Sequence, residues 1–236
     1  MAFLTLVRRG IAVDGGSNAT AWTPATITFT SLNTVIAAGE KVLWIALVSI
    51  DGNPTVTETQ GWAKINQASD ATNAVTGAIF VRETTAAYAA SAFPGITINS
   101  TAGEQYSLNM YAFKAAAGKA IGMITATSAQ GSSTNSNPPL ITNNSGASQD
   151  MSLIASRHGD AAVVATVAPT NYTPLLSQAG ATQGSSTNSA ARQLTMAASA
   201  TEDPATFTSA TEQWVSWTFG AYEFTPLGRA QAHMIG

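Results

Sequence analysis

Apolar and polar residues alternate along much of this chain with a period of two. The alternation is clearest over residues 25–30, 95–99 and 106–113. It is typical of β-strands that bury one face. The run Val42–Ile50 is apolar almost throughout and ends at the turn sequence Asp51-Gly52-Asn53-Pro54. It therefore predicts a central strand that is buried on both faces.

Turn-forming residues divide the rest of the chain at the spacing expected of a β-sandwich or a barrel. Helix is expected only in short turns, and the alanine-rich segment 84–92 is the one place where a helix could form. The other segments that predict strands are 78–82, 121–127, 151–156, 161–167, 193–198, 205–208 and 214–224.

An internal repeat shapes the prediction of the fold. The tripeptide Glu104-Gln105-Tyr106 recurs as Glu212-Gln213-Trp214, and each copy opens a strand rich in aromatic residues. Two halves of four strands each, packed face to face, predict an all-β jelly-roll β-sandwich of about eight strands. Two small sandwiches in tandem are the alternative, but their cores would be thin. The predicted organisation is an N-terminal arm or first strand at 1–22, the sandwich at 23–225 and a C-terminal tail at 226–236.

A second, local repeat is the hexapeptide Gly-Ser-Ser-Thr-Asn-Ser, which occupies residues 131–136 and again 184–189. Both copies are predicted to be polar loops. They are either a coincidence of a Ser/Thr/Asn-rich composition or a pair of loops that become ordered against a neighbouring protein.

Composition narrows the function classes. Only 10% of the residues are charged, against about 25% in a typical soluble domain. Short polar side chains therefore cover the surface, and they lose little rotamer entropy when a partner immobilises them. The net charge is −3 and the basic residues are scattered, which argues against a nucleic-acid partner. No apolar stretch is long enough to predict a membrane span, and the absence of cysteine excludes thiolate chemistry.

Few residues suggest catalysis. His158 lies at a predicted end of a strand with no nucleophile motif beside it, and His233 lies in the tail. Glu202 and Asp203 are adjacent in a turn, while Glu104 and Glu212 are equivalent in the repeat, so neither pair resembles a glycosidase site. No catalytic residue is therefore predicted, and the chain is expected not to be an enzyme.

Metal and sugar sites are also weakly indicated. Asp14–Asn18 and Asp51–Asn53 offer oxygen ligands but no full calcium loop, so both are interpreted as turns. No metal or cofactor is expected.

Trp62 follows Gly61 in a predicted loop and is the best candidate for an exposed, sugar-stacking ring. The remaining indoles are Trp22, Trp44, Trp214 and Trp217, of which Trp44 is predicted to be core and the last two to face opposite sides of one strand.

Several of these features occur together in a known kind of domain. Gly39-Glu40-Lys41 precedes the apolar strand, a Gly61-Trp62 turn follows it, and the closing strand ends in Ala221-Tyr222-Glu223-Phe224. Over roughly residues 25–225 this layout resembles a jelly-roll domain of structural proteins in tailed bacteriophages. The ends of the chain do not match it.

The resemblance implies a virion component, made in the host cytoplasm and located on the capsid or the tail. The expected function is that of a capsid decoration (cement) protein, with the major capsid protein or other virion proteins as partners. A homo-oligomer such as a trimer is compatible with it, and so is a monomer that binds many equivalent sites. The alternatives are a tail-associated or fibre-associated module that binds a receptor or carbohydrate, and an enzyme such as an accessory polysaccharide depolymerase.

Overall fold

The computed structural model describes residues 2–13, 19–24, 26–161, 165, 167–179 and 184–226. Within these residues the chain is all-β, with antiparallel sheets and no helix. The segment 84–92 therefore forms no helix, because Tyr88 pairs instead with Ile36 in an isolated β-bridge. Most of the predicted strand 161–167 and the tail from 227 lie outside the described residues.

The described strands number from β1 to β17, more than the eight predicted. Their bounds are β1 Thr5–Val13, β2 Ala19–Trp22, β3 Thr28–Asn33, β4 Val42–Asp51, β5 Val56–Glu58, β6 Ala63–Ser69, β7 Val75–Thr84, β8 Ile98–Glu104, β9 Tyr106–Lys114, β10 Ala120–Thr125, β11 Ala129–Ser136, β12 Ile141–Thr142, β13 Gln149–Gly159, β14 Thr173–Ala179, β15 Ser186–Met196, β16 Thr201–Glu202 and β17 Phe207–Phe224.

Each half of the chain forms its own large sheet. In the first half the strand order is β3-β1-β9-β4-β7-β6. In the second half it is β10-β17-β13-β15-β14, and β11 also pairs with β17. The 18-residue β17 is long enough to pair with β10 and then β11 along one side and with β13 along the other. The predicted strands at 205–208 and 214–224 are therefore parts of one strand.

The two sheets share one topology. β9 and β17 occupy equivalent positions, as do β4 and β13, β7 and β15, and β6 and β14. The backbone N–H of Asp51 donates to the carbonyl of Gln105 at 3.1 Å, and that of Asp160 donates to Gln213 at 3.2 Å. The sequence repeat around Glu104 and Glu212 thus marks a repeat in three dimensions. β1 takes part in this repeat, since it lies beside β9 as β10 and β11 lie beside β17.

Three apolar clusters hold the layers together. The middle cluster joins the two large sheets through side chains such as Leu43, Ile45, Ile154 and Phe219. An outer cluster lies between the first sheet and a small sheet of order β2-β8-β5. A third lies between the second sheet and the β12–β16 pair. Since β4 contributes alternate residues to the middle and the first outer cluster, its run is apolar almost throughout.

Neither copy of the repeated hexapeptide is a loop. Residues 131–136 lie in the edge strand β11, where Ser132 and Thr134 are exposed. In the second copy, residues 186–189 open β15, and Thr187 is fully buried between the large sheets. The loop prediction was wrong because the polar composition concealed a strand that buries its hydroxyl groups in hydrogen bonds.

Candidate functional site

His158 lies on β13 in the middle of the molecule. Its imidazole is fully buried and meets the indole of Trp217 edge-on, with 4.8 Å between the ring centroids. Burial, reinforced by the charge of Arg157, lowers the pKa of His158 to about 3. The ring is therefore neutral at physiological pH. Gly77 on β7 makes room for this pair, because a Cβ atom there would lie 2.4 Å from the indole. The geometry makes His158 a packing residue.

A line of polar side chains crosses the middle of the sandwich beside this pair. Ser107 on β9 and Thr187 on β15 share a hydrogen bond of 2.8 Å. The Asn109 amide donates to the Thr187 carbonyl at 3.2 Å, and the Tyr111 hydroxyl bonds Ser189. These bonds fix the first sheet on the second in one register. We call these five residues the polar seam.

Acidic side chains gather at the end of the sandwich where β4 and β13 finish. Burial raises the pKa of Asp51, and the charge of Asp160 raises it further. The pKa of Glu104 is raised by burial and then by Asp51, while that of Asp160 is raised by burial. Among the described residues no group of three or more acidic or histidine side chains is placed to hold one metal ion.

The equivalent glutamates have different surroundings. Glu212 forms a buried ion pair with Arg157, whose side chain is completely enclosed. Burial raises the pKa of Glu212, and the charge of Arg157 opposes the rise. Glu104 instead lies beside Gly52, where a Cβ atom would be 3.0 Å from its carboxylate. Glu104 thus lies at the end of β8 and Glu212 in the middle of β17, and each has structural contacts of its own.

The other candidates from the sequence do not converge on one site. Trp62 is buried, and its indole donates to the Gly95 carbonyl at 2.8 Å, so it offers no exposed ring for a sugar. Glu202 accepts a hydrogen bond from Arg192 at 2.5 Å. Trp214 and Trp217 face opposite sides of β17, as predicted, yet both are buried. Asp14–Asn18 and His233 lie outside the described residues.

Two residues missed at the sequence level carry much of the polar structure. Arg8 is fully buried, and its guanidinium donates to the carbonyls of Thr34 at 2.9 and 2.8 Å and of Ala89 at 2.7 Å. Asp70 accepts hydrogen bonds from the backbone of Thr72, Ala74 and Val75. Burial raises the pKa of Asp70, but its hydrogen bonds outweigh this effect and hold that pKa below its usual value. In the sequence, only the turn-forming stretch Asp70-Ala71-Thr72-Asn73 indicated a structural role for Asp70. Nothing in the sequence indicated that Arg8 is buried.

A cleft of about 390 Å³ with polar and apolar walls lies between the large sheets. Leu6 and Phe113 come from the first sheet, and Leu153 from the second. Hydroxyl, amide and guanidinium groups complete its lining, from Ser152, Asn171, Thr173, Arg192 and Gln193. Its Arg192 is paired with Glu202, so the cleft offers neutral hydrogen-bonding groups beside apolar ones. We call it the end cleft.

Comparison with known proteins gives no relative: no family model, no curated protein and no solved structure matches the chain. In the part of the chain that the structure describes, no helix is long and apolar enough to cross a membrane.

Proposed function

We propose that this chain is a structural protein of a bacteriophage virion, a jelly-roll decoration protein that binds the assembled head and stabilises its shell. The observation that carries the proposal is the surface of the sandwich. Its outer strands expose short polar side chains, as β11 does along Ala129–Ser136, and only 10% of the whole chain is charged. Such a surface can be desolvated and immobilised at small cost.

The buried polar groups support a structural role. His158, Arg157 and Glu212 are enclosed, and their contacts join strands within the sandwich. Exposed apolar side chains provide contact points for a partner such as the major capsid protein; the large ones among the described residues are Val13, Val35, Met123, Leu140, Val167 and Phe224.

The proposal is tested by adding purified protein to heads and, separately, to tails assembled without it. We expect the protein to sediment with heads in a saturable manner and to raise their temperature of disruption, because binding to the assembled state stabilises it. Sedimentation with tails alone, or with neither particle, would exclude the decoration role.

The end cleft favours a second candidate function, a tail or fibre module that binds carbohydrate. Its volume is in the range of ligand pockets, and neutral hydroxyl and amide groups beside apolar walls suit a sugar ring. The exposed Gln193 lies in this cleft, so Gln193→Ala should weaken any glycan binding, whereas Gln130→Ala on β11 should not. A glycan array without hits would remove this candidate.

A further inference from the structure

The two halves of the repeat differ at one edge. In the first half β3 pairs with the outer side of β1 and covers it. In the second half β10 and β11 occupy the position equivalent to β1, and their inner side pairs with β17. Within the described residues no strand takes the place of β3 there. We call β10 and β11 the open edge.

Hydrogen bonding within the sheet shows which groups of β10 face outward. The N–H of Ala126 donates to the carbonyl of Thr218 at 3.0 Å. Because hydrogen-bonded positions alternate along an antiparallel ladder, Ile124, Gly122 and Ala120 also turn their backbone groups toward β17. Ile121, Met123 and Thr125 therefore present their N–H and C=O groups to the outside.

Within the open edge, β10 lacks the features that usually prevent strands from associating, whereas β11 has a register shift between Ser133 and Asn135. Lysine, proline and β-bulges protect natural sheet edges. β14 has Pro174 with a shift in register, and β6 has Lys64 with another. No charged residue and no proline occurs from Ala120 to Ser136, and β10 pairs with β17 without a bulge.

The most exposed side chain of β10 is apolar. Met123 is 37% exposed, and it lies opposite Ala221, which belongs to the middle apolar cluster. Ile121 belongs to the same cluster. A strand placed beside β10 would therefore extend both the sheet and the middle core.

We propose that β10 pairs antiparallel with β10 of a second copy of this chain, about a twofold axis at Met123. In this register Ile121 of each copy lies opposite Thr125 of the other, and the two Met123 side chains touch on one face. A strand that pairs with itself about a twofold axis is self-complementary, and the absence of charge leaves nothing on the edge to repel its copy. The second-half sheets of the two copies then form one continuous sheet across the dimer.

The oligomeric state of the full chain tests the proposal, measured by sedimentation equilibrium over micromolar to millimolar concentrations. We expect a dimer for the native sequence. Met123→Lys should give a monomer, because it places two like charges opposite each other. Thr125→Pro should do the same while leaving the fold intact, because the N–H that it removes faces outward. Val35→Lys, at a position 63% exposed and away from this edge, should remain dimeric.

Cross-linking tests the register. The chain contains no cysteine, so a Met123→Cys variant has a single thiol. Directly opposed residues of a hydrogen-bonded antiparallel pair have Cα atoms about 5.5 Å apart, which suits a disulfide. Mild oxidation should give a covalent dimer of Met123→Cys much faster than of the control Val35→Cys. A monomeric native chain, a dimer that survives both Met123→Lys and Thr125→Pro, or equal cross-linking of the two cysteine variants would overturn the proposal. So would a monomer that pairs at this edge with a different protein.

Discussion

Arg8 is a cation enclosed by backbone carbonyl groups. Its guanidinium donates to Thr34, Tyr88 and Ala89 and lies 5.6 Å from the ring of Phe29. These contacts attach the segment around Tyr88 to β1. Burial lowers the pKa of Arg8, yet the charge is kept because the surrounding carbonyl oxygens stabilise it.

Replacement of Arg8 by methionine should therefore be costly. The carbonyl groups would lose their donors inside the protein, and we expect the free energy of unfolding to fall by about 3 kcal/mol. Arg82→Met is the control, since Arg82 donates to Gln60 at the surface and its loss should cost less than about 1 kcal/mol. Urea unfolding of both variants measures the difference, and equal losses would contradict the structural role of Arg8.

His158 should make the protein sensitive to acid. Its pKa is about 3 in the folded state and about 6.5 in an unfolded chain. Between these values the unfolded state binds the extra proton, so stability falls as the pH is lowered from about 6.5 toward 3, by up to about 1.4 kcal/mol per pH unit. The raised pKa values of Asp51, Glu104 and Asp160 act in the opposite direction.

A His158→Gln variant separates these effects. It removes the titrating ring and leaves the carboxylates, so they cancel in the difference between the two pH profiles. Urea unfolding at a series of pH values should show that the native chain loses stability relative to the variant as the pH falls below about 6.5. A difference that does not depend on pH would mean that the imidazole is not held neutral.

At the scale of the strands, the same hexapeptide occupies two environments. Thr134 on β11 is exposed, whereas Thr187 on β15 is buried and bonded to Ser107. Thr134→Asp should change the free energy of unfolding by less than about 0.5 kcal/mol. Thr187→Asp should prevent folding or cost more than about 4 kcal/mol, because it buries a charge between the sheets. Thermal unfolding followed by circular dichroism measures both, and similar melting temperatures would contradict the assignment.

The close approach of β7 to β17 depends on Gly77. A methyl group there would overlap the Trp217 indole, so Gly77→Ala should lower the free energy of unfolding by about 1–3 kcal/mol. If overlap is the cause, the smaller ring of Trp217→Phe should recover part of that loss in the double variant. A double-mutant cycle measures the coupling, and additive effects would show that the two residues act independently.

At the scale of the whole molecule, the two halves should unfold together. The middle cluster and the polar seam both join the sheets, so either sheet alone would expose a large apolar face. We expect one cooperative transition in urea, with tryptophan fluorescence and far-UV circular dichroism giving the same midpoint. Separate midpoints would show that each half is stable by itself.

The sequence predicted the class of fold and the repeat because both depend on local patterns. Alternation identified β9, and the continuous apolar run identified β4. The Glu-Gln-aromatic tripeptide located equivalent positions at the end of β8 and in the middle of β17. The division into more numerous strands and covering sheets could not be predicted, because it depends on which distant segments meet. The buried position of Thr187 was hidden for the same reason: its neighbours in sequence are polar, and only the opposite sheet supplies its partners.

The pairing registers make Gly77 equivalent to Thr187 and Asn109 equivalent to Trp217. These equivalences relate the two halves by a pseudo-twofold axis. On one side of the axis the Trp217 indole occupies the space beside Gly77. On the other side the Asn109 amide donates to the backbone carbonyl of Thr187. A chain built from two copies of the second half would direct each Trp217 at a Thr187 with no space for the ring, and two copies of the first half would leave that space empty. The halves have thus become complementary partners that cannot replace each other, as in a heterodimer whose subunits are joined in one chain.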